Sequence, residues 1–206
     1  MPPMDGCLIA VTGGIACGKS TLARFLAEAG CAVLDTDDVA HALQASGGLA
    51  VAPIAGEFGA GVLAPDGSID RGKLGKIVFA DPSALARLNA IVHPMVGCEV
   101  ARWIAARGDG VCKAVLVPLL YETGLDRKFG WDATVAVVCR PEEQLRRLMG
   151  RGLRRDEALA RISSQMPCAE KARRSDYVVE NDGGIAQLRG KTLEILRKVS
   201  LRKNGE

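Results

Sequence analysis

The sequence predicts an α/β fold in which a parallel sheet carries helices on both faces, and three observations predict it. Five short apolar runs recur along the 206 residues, and stretches with helical spacing lie between them. The first run ends in a glycine-rich segment, "VTGGIACGKST" (11–21), that opens a helix. Hydrophobic residues make up 48% and charged residues 25%, the balance of a globular chain rather than a disordered one. Apolar runs without alternation fit strands buried on both faces, and alternation of strand with helix selects the α/β class.

"CLIAVT" (7–12) is the first strand. Thr21 to Ala29 carries Leu22, Phe25 and Leu26 at helical spacing, and Gly30 supplies the stop. "CAVLD" (31–35) is the second strand, "VCKAVLVPLL" (111–120) the third, "WDATVAVVC" (131–139) the fourth and "YVVEN" (177–181) the fifth. Roughly 75 residues separate the second strand from the third, far more than an ordinary crossover. That stretch holds a turn signal at Asp66-Gly67 and is otherwise mostly helical, so an inserted helical subdomain over about 38–108 is expected. The sheet-bearing core then comprises about 7–37, 111–140 and 176–200. Pro141, Glu142 and Glu143 read as the first turn of a helix, where proline is tolerated and acids face the positive dipole end. The last helix shows Ile185, Leu188, Ile195, Leu196 and Val199 on one stripe, and then a polar tail, "RKNGE" (202–206), expected to fray.

A net charge of +3 and an aromatic content of 4% argue against a nucleic-acid partner. The charge is uneven, however: Arg140 to Arg174 holds ten Lys/Arg against five Asp/Glu. Seven cysteines (Cys7, Cys17, Cys31, Cys98, Cys112, Cys139, Cys168) are scattered singly, with no C-x-x-C pair and two histidines in the chain, which excludes a structural zinc reading and suggests reduced thiols. "MPPMDG" lacks the pattern of a signal peptide, and no apolar run is long enough to span a membrane. The expectation is a soluble, cytoplasmic chain, with a monomer favoured.

The glycine-rich segment carries the chemistry. Gly13-x4-Gly18-Lys19-Ser20 is the phosphate-loop pattern, and it has a strand before it and a helix after it. In such a loop consecutive backbone N–H groups point at an anion and side chains would block the approach, while the helix adds its positive N-terminal end. Lys19 is then placed for the β- and γ-phosphates and Ser20 for Mg2+, with Gly14, Ile15, Ala16, Cys17, Gly18 and Thr21 completing the cradle. A dinucleotide-binding turn fails on register, because G-x-G from Gly13 meets Ile15. A guanine-specific switch protein wants N-K-x-D, which does not occur. "DTDDVAH" (35–41) puts Asp35, Asp37 and Asp38 after the second strand, at the strand edge where α/β proteins bind ligands. One of them can cap the next helix; the other reading, with Asp37 favoured, is a base that takes a proton from a substrate hydroxyl. His93-Pro94 falls inside a helical pattern, where the histidine either supports a proline kink or serves a site. Pro118 stands where a Walker-B acid would be expected, which leaves metal ligation to Ser20 and Asp37. Arg146, Arg147, Arg151, Arg154, Arg155 and Arg161 form either a solvated cationic face or a lid over about 141–174 that closes on the triphosphate.

From the first strand to about Asn181 these segments resemble the dephospho-CoA kinase family. The resemblance rests on "VTGGIACGKST", "VLDTDDVAH", "DGSIDRGKL", "IVFADP", the His93-Pro94 pair, "VPLLYE", "RPEEQLRRLMGR", "RISSQMP" and "DYVVEND". It implies a three-layer P-loop NTPase-type fold, with five parallel strands in the order 2-3-1-4-5, an inserted helical substrate domain and a helical lid. It also implies ATP- and Mg2+-dependent phosphorylation of the ribose 3′-hydroxyl of dephospho-CoA; another nucleoside or nucleotide kinase is the alternative. By the same resemblance Lys19, Asp37 and Arg147 are the catalytic candidates, and Asp37, Arg71, His93, Leu119, Tyr121, Glu122 and Arg161 the acceptor-binding ones. The loop departs from the family's usual Gly-Ser before Gly18 by carrying Ala16-Cys17, and little effect is expected from this exchange of small residues.

Overall fold

The computed structural model describes residues 6–106, 108 and 110–203. It divides into two units, Met1–Asp35 with Ala105–Glu206 and Thr36–Ile104.

In the first unit the apolar runs form β1 (Leu8–Gly13), β2 (Ala32–Asp35), β3 (Lys113–Leu116), β4 (Ala133–Val138) and β5 (Tyr177–Glu180). They pair in parallel in the order β2-β3-β1-β4-β5, the order expected. Successive side chains on a strand point to opposite faces. Ile9 and Val11 cluster with Leu22, Phe25 and Leu26 of α1 (Lys19–Glu28) and with Leu188, Leu196 and Val199 of α9 (Ile185–Lys203). Ala10 and Ala136 are likewise fully buried, on strands that pack against α8 (Cys168–Arg174). Both faces are therefore covered, which is why the strands read as unbroken apolar runs. Two further α-helices, α6 (Pro141–Met149) and α7 (Arg155–Ser163), and a short 3-10 helix at Leu125–Arg127 also belong to this unit.

Several boundaries differ from expectation for identifiable reasons. β3 ends at Leu116 rather than at 120: Val117 still donates its N–H to Val11 O at 2.8 Å, but Pro118 has no N–H to continue the ladder. α1 begins at Lys19, two residues before the expected start at Thr21. It ends as expected at Gly30, where φ is +96° and Cys31 N reaches back to Leu26 O at 3.0 Å. Ile185, expected on the buried stripe of α9, is 61% exposed at the start of the helix. Thr192 takes a buried place instead, its hydroxyl satisfied by Leu188 O at 2.7 Å. The expectation that every thiol is reduced is corrected as well: Cys7 and Cys112 form a disulfide. They are 105 residues apart in sequence, and only the parallel register of β1 on β3 makes them neighbours, with Lys113 N donating to Cys7 O at 2.6 Å. Of the tail expected to fray, 204–206 lies outside the described residues, as does 1–5 of the segment read as lacking a leader. Arg202 and Lys203 are still helical, and Lys203 Nζ reaches Asp132 at 3.0 Å.

The second unit contains α2 (Thr36–Gln44), α3 (Val51–Phe58), α4 (Arg71–Ala80) and most of α5 (Pro82–Ala106). The expected turn at Asp66-Gly67 is present: Ala64 N donates to Ser68 O at 2.8 Å, and Leu63 pairs antiparallel with Ile69. Two acids of this unit are helix caps. Asp70 accepts from Gly72 N and Lys73 N, each at 3.0 Å, and Asp81 accepts from Ser83 N at 2.8 Å ahead of Pro82 at the first helical position. Pro94 lies inside α5, which continues as one helix through it. Among the described residues no helix is long and apolar enough to cross a membrane.

Candidate active site

β1 occupies the middle of the sheet, so the chain that leaves it at Gly13 emerges at the carboxyl edge with a strand on either side. It enters a loop whose carbonyls are claimed one after another by the surrounding side chains and by α1. Lys19 Nζ donates to Gly13 O (3.1 Å) and Gly14 O (2.9 Å). Gln144 Nε2 donates to Ile15 O (2.9 Å), Arg147 Nη1 to Ala16 O (3.2 Å), and Asn181 Nδ2 to Cys17 O (2.8 Å). Leu22 N closes the series on Gly18 O (3.0 Å). All six carbonyls from Gly13 to Gly18 thus have donors, and Cys17 N closes a turn on Gly14 O at 3.3 Å. A glycine-rich loop pinned in this way ahead of a helix N-terminus is the setting in which backbone amides bind an anion. The loop runs into α1 at Gly18, an N-cap with no side-chain hydrogen bond and no acid in the first turn, which leaves the positive end of the helix for a ligand.

Glycine is required here for steric reasons. A Cβ on Gly13 would overlap the Val137 carbonyl oxygen, and one on Gly18 would overlap Asn181 Nδ2. Gly18 also has φ +103°, which L side chains avoid. Ala16 stands where the family usually has glycine. Its φ is +59°, a left-handed conformation that costs alanine about 1 kcal/mol. Packing beside Leu148 and Ala158 holds it there.

Arg147, a catalytic candidate, lies on α6 and is 20% exposed. Its guanidinium bonds Glu143 Oε1 (2.7 Å) and Asn181 O (2.7 Å) as well as the loop. Arg146 first, and Arg147 after it, hold the Glu143 carboxyl down at about 2. Arg161 is on α7 and exposed. Gln144 and Asn181 sit inside family-like motifs but were not among the site residues expected from the sequence; here they anchor the loop. Nothing in their local pattern marks them, since each acts across more than 120 residues of chain.

The segment after β3 carries three acceptor-binding candidates and is held by α8. Lys171 is fully buried; its ammonium donates to Pro118 O and pairs with Glu122 Oε1 at 2.9 Å. Glu122 also accepts from Met166 N at 3.1 Å. Tyr121 is buried, its hydroxyl 2.6 Å from Ser175 Oγ and its ring under the Arg174 guanidinium at 4.4 Å. Leu119 O accepts from Thr123 Oγ1 at 2.7 Å. Leu119, Tyr121 and Glu122 are thus part of one braced turn, and Lys171 is a member that sequence reasoning missed.

Three remaining candidates belong to the second unit. Asp37 lies in the first turn of α2, two residues beyond Asp35 at the end of β2. Arg71 opens α4 beside its cap Asp70. His93 lies within α5, and burial holds its imidazole below the usual value, so it is neutral at pH 7.

Comparison with known proteins matches the same segments. The family model described as CoaE, dephospho-CoA kinase, matches residues 7–187. The dephospho-CoA kinase of Symbiobacterium thermophilum is 45% identical over 202 residues, covering 97% of this chain and 84% of the relative. Among solved structures, TT1252 from Thermus thermophilus is 32% identical with a TM-score of 0.79, covering 94% of this chain and 97% of that one. The dephospho-CoA kinase from Campylobacter jejuni is 25% identical with a TM-score of 0.63, covering 93% and 96%. With a braced phosphate loop at the centre of the sheet and a family match over most of its length, the chain belongs to the dephospho-CoA kinase family.

Proposed function

We propose that this chain transfers the γ-phosphoryl group of ATP to the ribose 3′-hydroxyl of dephospho-CoA, releasing ADP and coenzyme A as the final step of coenzyme A synthesis. Membership of the family supports the acceptor. The observation that carries the ATP site is the glycine loop from Gly13 to Gly18, its six carbonyls all engaged, set between the central strand β1 and the uncapped start of α1.

Phosphoryl transfer asks a protein mainly for alignment and charge neutralisation. Residues 14–21 grip the phosphates through the backbone, and Lys19 leaves the Gly13 and Gly14 carbonyls to meet the β- and γ-oxygens. Arg147 adds positive charge from α6. Asp37 accepts the proton of the 3′-hydroxyl as its oxygen bonds to the γ-phosphorus and ADP departs. Arg71, His93, Leu119, Tyr121, Glu122 and Arg161 hold the acceptor. A bound Mg2+ would supply neutralisation of the phosphate charge. The Ser20 hydroxyl at the start of α1 is the residue to hold it. Among the described residues no cluster of three or more His, Cys, Asp or Glu forms a metal cage. A hydroxyl such as that of Ser20, with the Asp37 carboxylate as the other oxygen donor read from the sequence, would suit a hard cation such as Mg2+. A cytoplasmic monomer with no nucleic-acid partner completes the reading, and the net charge of +3 supports the last part.

ADP release from ATP, Mg2+ and dephospho-CoA tests the assignment. Lys19→Ala loses turnover, and Asp37→Asn loses at least ~100-fold in kcat while its ATP affinity stays within about twofold of wild type. An Asp37→Asn enzyme with near-normal kcat removes Asp37 from the mechanism.

A further inference from the structure

Behind the phosphate loop lies a group of thiols for which the transfer reaction has no use. Cys17 Sγ is 3.1 Å from Cys139 Sγ and 3.7 Å from Cys168 Sγ. Cys17 belongs to the loop, Cys139 comes directly after β4 and Cys168 opens α8, so 122 and 151 residues of chain separate the partners. Cys17 and Cys139 are buried, whereas Cys168 is partly exposed. The Cys168 sulfur also lies against the loop backbone, for a Cβ on Gly14 would overlap it.

We propose that this cluster is an oxidation site, in which Cys168 takes up a peroxide oxidant and Cys17 closes a disulfide with it, disabling the phosphate loop. The Cys168 thiolate attacks one oxygen of hydrogen peroxide; the O–O bond breaks, the leaving hydroxide takes up the proton the thiol had released and departs as water, and Cys168 becomes a sulfenic acid. The Cys17 sulfur then attacks the Cys168 sulfur, and its proton leaves with the hydroxyl as a second water. Two thiols are oxidised and one peroxide is reduced. The hydrogen bond with Cys17 holds the Cys168 thiol below its ordinary value and favours the first step. Hydrogen bonds to Cys139 and Cys168, and burial, push Cys17 up, so Cys17 attacks as the thiol and gives up its proton in the step.

Closing the bond draws the sulfurs from 3.7 Å to about 2.05 Å. Cys17 is itself a loop residue whose carbonyl Asn181 fixes at 2.8 Å, so the linkage ties the cradle to the first residue of α8 and constrains the backbone that meets the phosphates.

The test compares the full chain with Cys168→Ser, each reduced by dithiothreitol and then treated with hydrogen peroxide. ATP affinity is measured by calorimetry and cross-links by peptide mapping. Both reduced proteins bind ATP; a reduced wild type that does not bind refutes the ATP site itself and is read separately from the switch. After peroxide, the wild type carries a Cys17–Cys168 linkage and binds ATP at least ~10-fold more weakly. Reductant restores it, and Cys168→Ser is unaffected. Cys168→Ala replaces the serine variant if that one binds poorly when reduced. Equal loss in the position-168 variant overturns the proposal. So do unchanged affinity in linked wild type, and recovery of Cys17 and Cys168 as thiols at a dose that oxidises the exposed Cys98.

Discussion

At the scale of single residues two glycines, one entering the loop and one after α1, show different uses. Gly13 needs its missing side chain because backbone of β4 occupies the space, whereas Gly30 has φ +96° but open space around it. Gly13→Ala is therefore expected to lower stability by about 3 kcal/mol or more, a backbone clash in a packed interior. Gly30→Ala is expected to cost about 1 kcal/mol, the conformational penalty alone. Urea unfolding measures both, and equal losses would contradict the steric account of Gly13. The glycines, Lys19 and Ser20 were legible in the sequence because their spacing is a local property of one loop. The left-handed Ala16 and the contacts of Cys17 were not legible, because side-chain size says nothing of φ, and the sulfur's neighbours come from the end of β4 and from α8.

Among the secondary-structure elements, the apolar strands, the proline-led start of α6 and the turn at Asp66-Gly67 were readable for the same reason: burial period and turn chemistry are written locally. Charge is different. Arg140 to Arg174 reads as one basic stretch, yet its members do unlike things. Arg146 is exposed and pairs with Glu143 on its own helix, Arg147 ties the loop to Asn181, and Lys171 is buried beneath the turn at 118–122. A charge count carries no direction. The Lys171–Glu122 pair gives this scale its prediction. Removing the cation strands a carboxylate whose side chain is 24% exposed, so Lys171→Met is expected to cost about 2–4 kcal/mol, below the full figure for a completely buried partner. Glu122→Gln keeps an acceptor for Met166 N. The double variant should lose less than the sum of the singles by at least ~0.5 kcal/mol, the signature of a coupled pair. Strict additivity in a urea double-mutant cycle would contradict the bracing role assigned to Lys171.

For the molecule as a whole, the sheet order sets the function. A central β1 with parallel neighbours delivers the glycine loop to the carboxyl edge, and α6 and the residue after β5 supply donors that engage its carbonyls. The strand order and the family were readable from the sequence, since ordered motifs from "VTGGIACGKST" to "DYVVEND" span most of the chain. The Cys7–Cys112 disulfide was hidden, because a pair 105 residues apart becomes adjacent only once β1 and β3 are in register. The most direct measurement offers dephospho-CoA, AMP, CMP and adenosine in turn to the protein with ATP and Mg2+, and monitors ADP release. Turnover with dephospho-CoA at least ~100-fold faster in kcat/KM than with the others is the predicted result. Turnover with a nucleoside monophosphate and none with dephospho-CoA would contradict it.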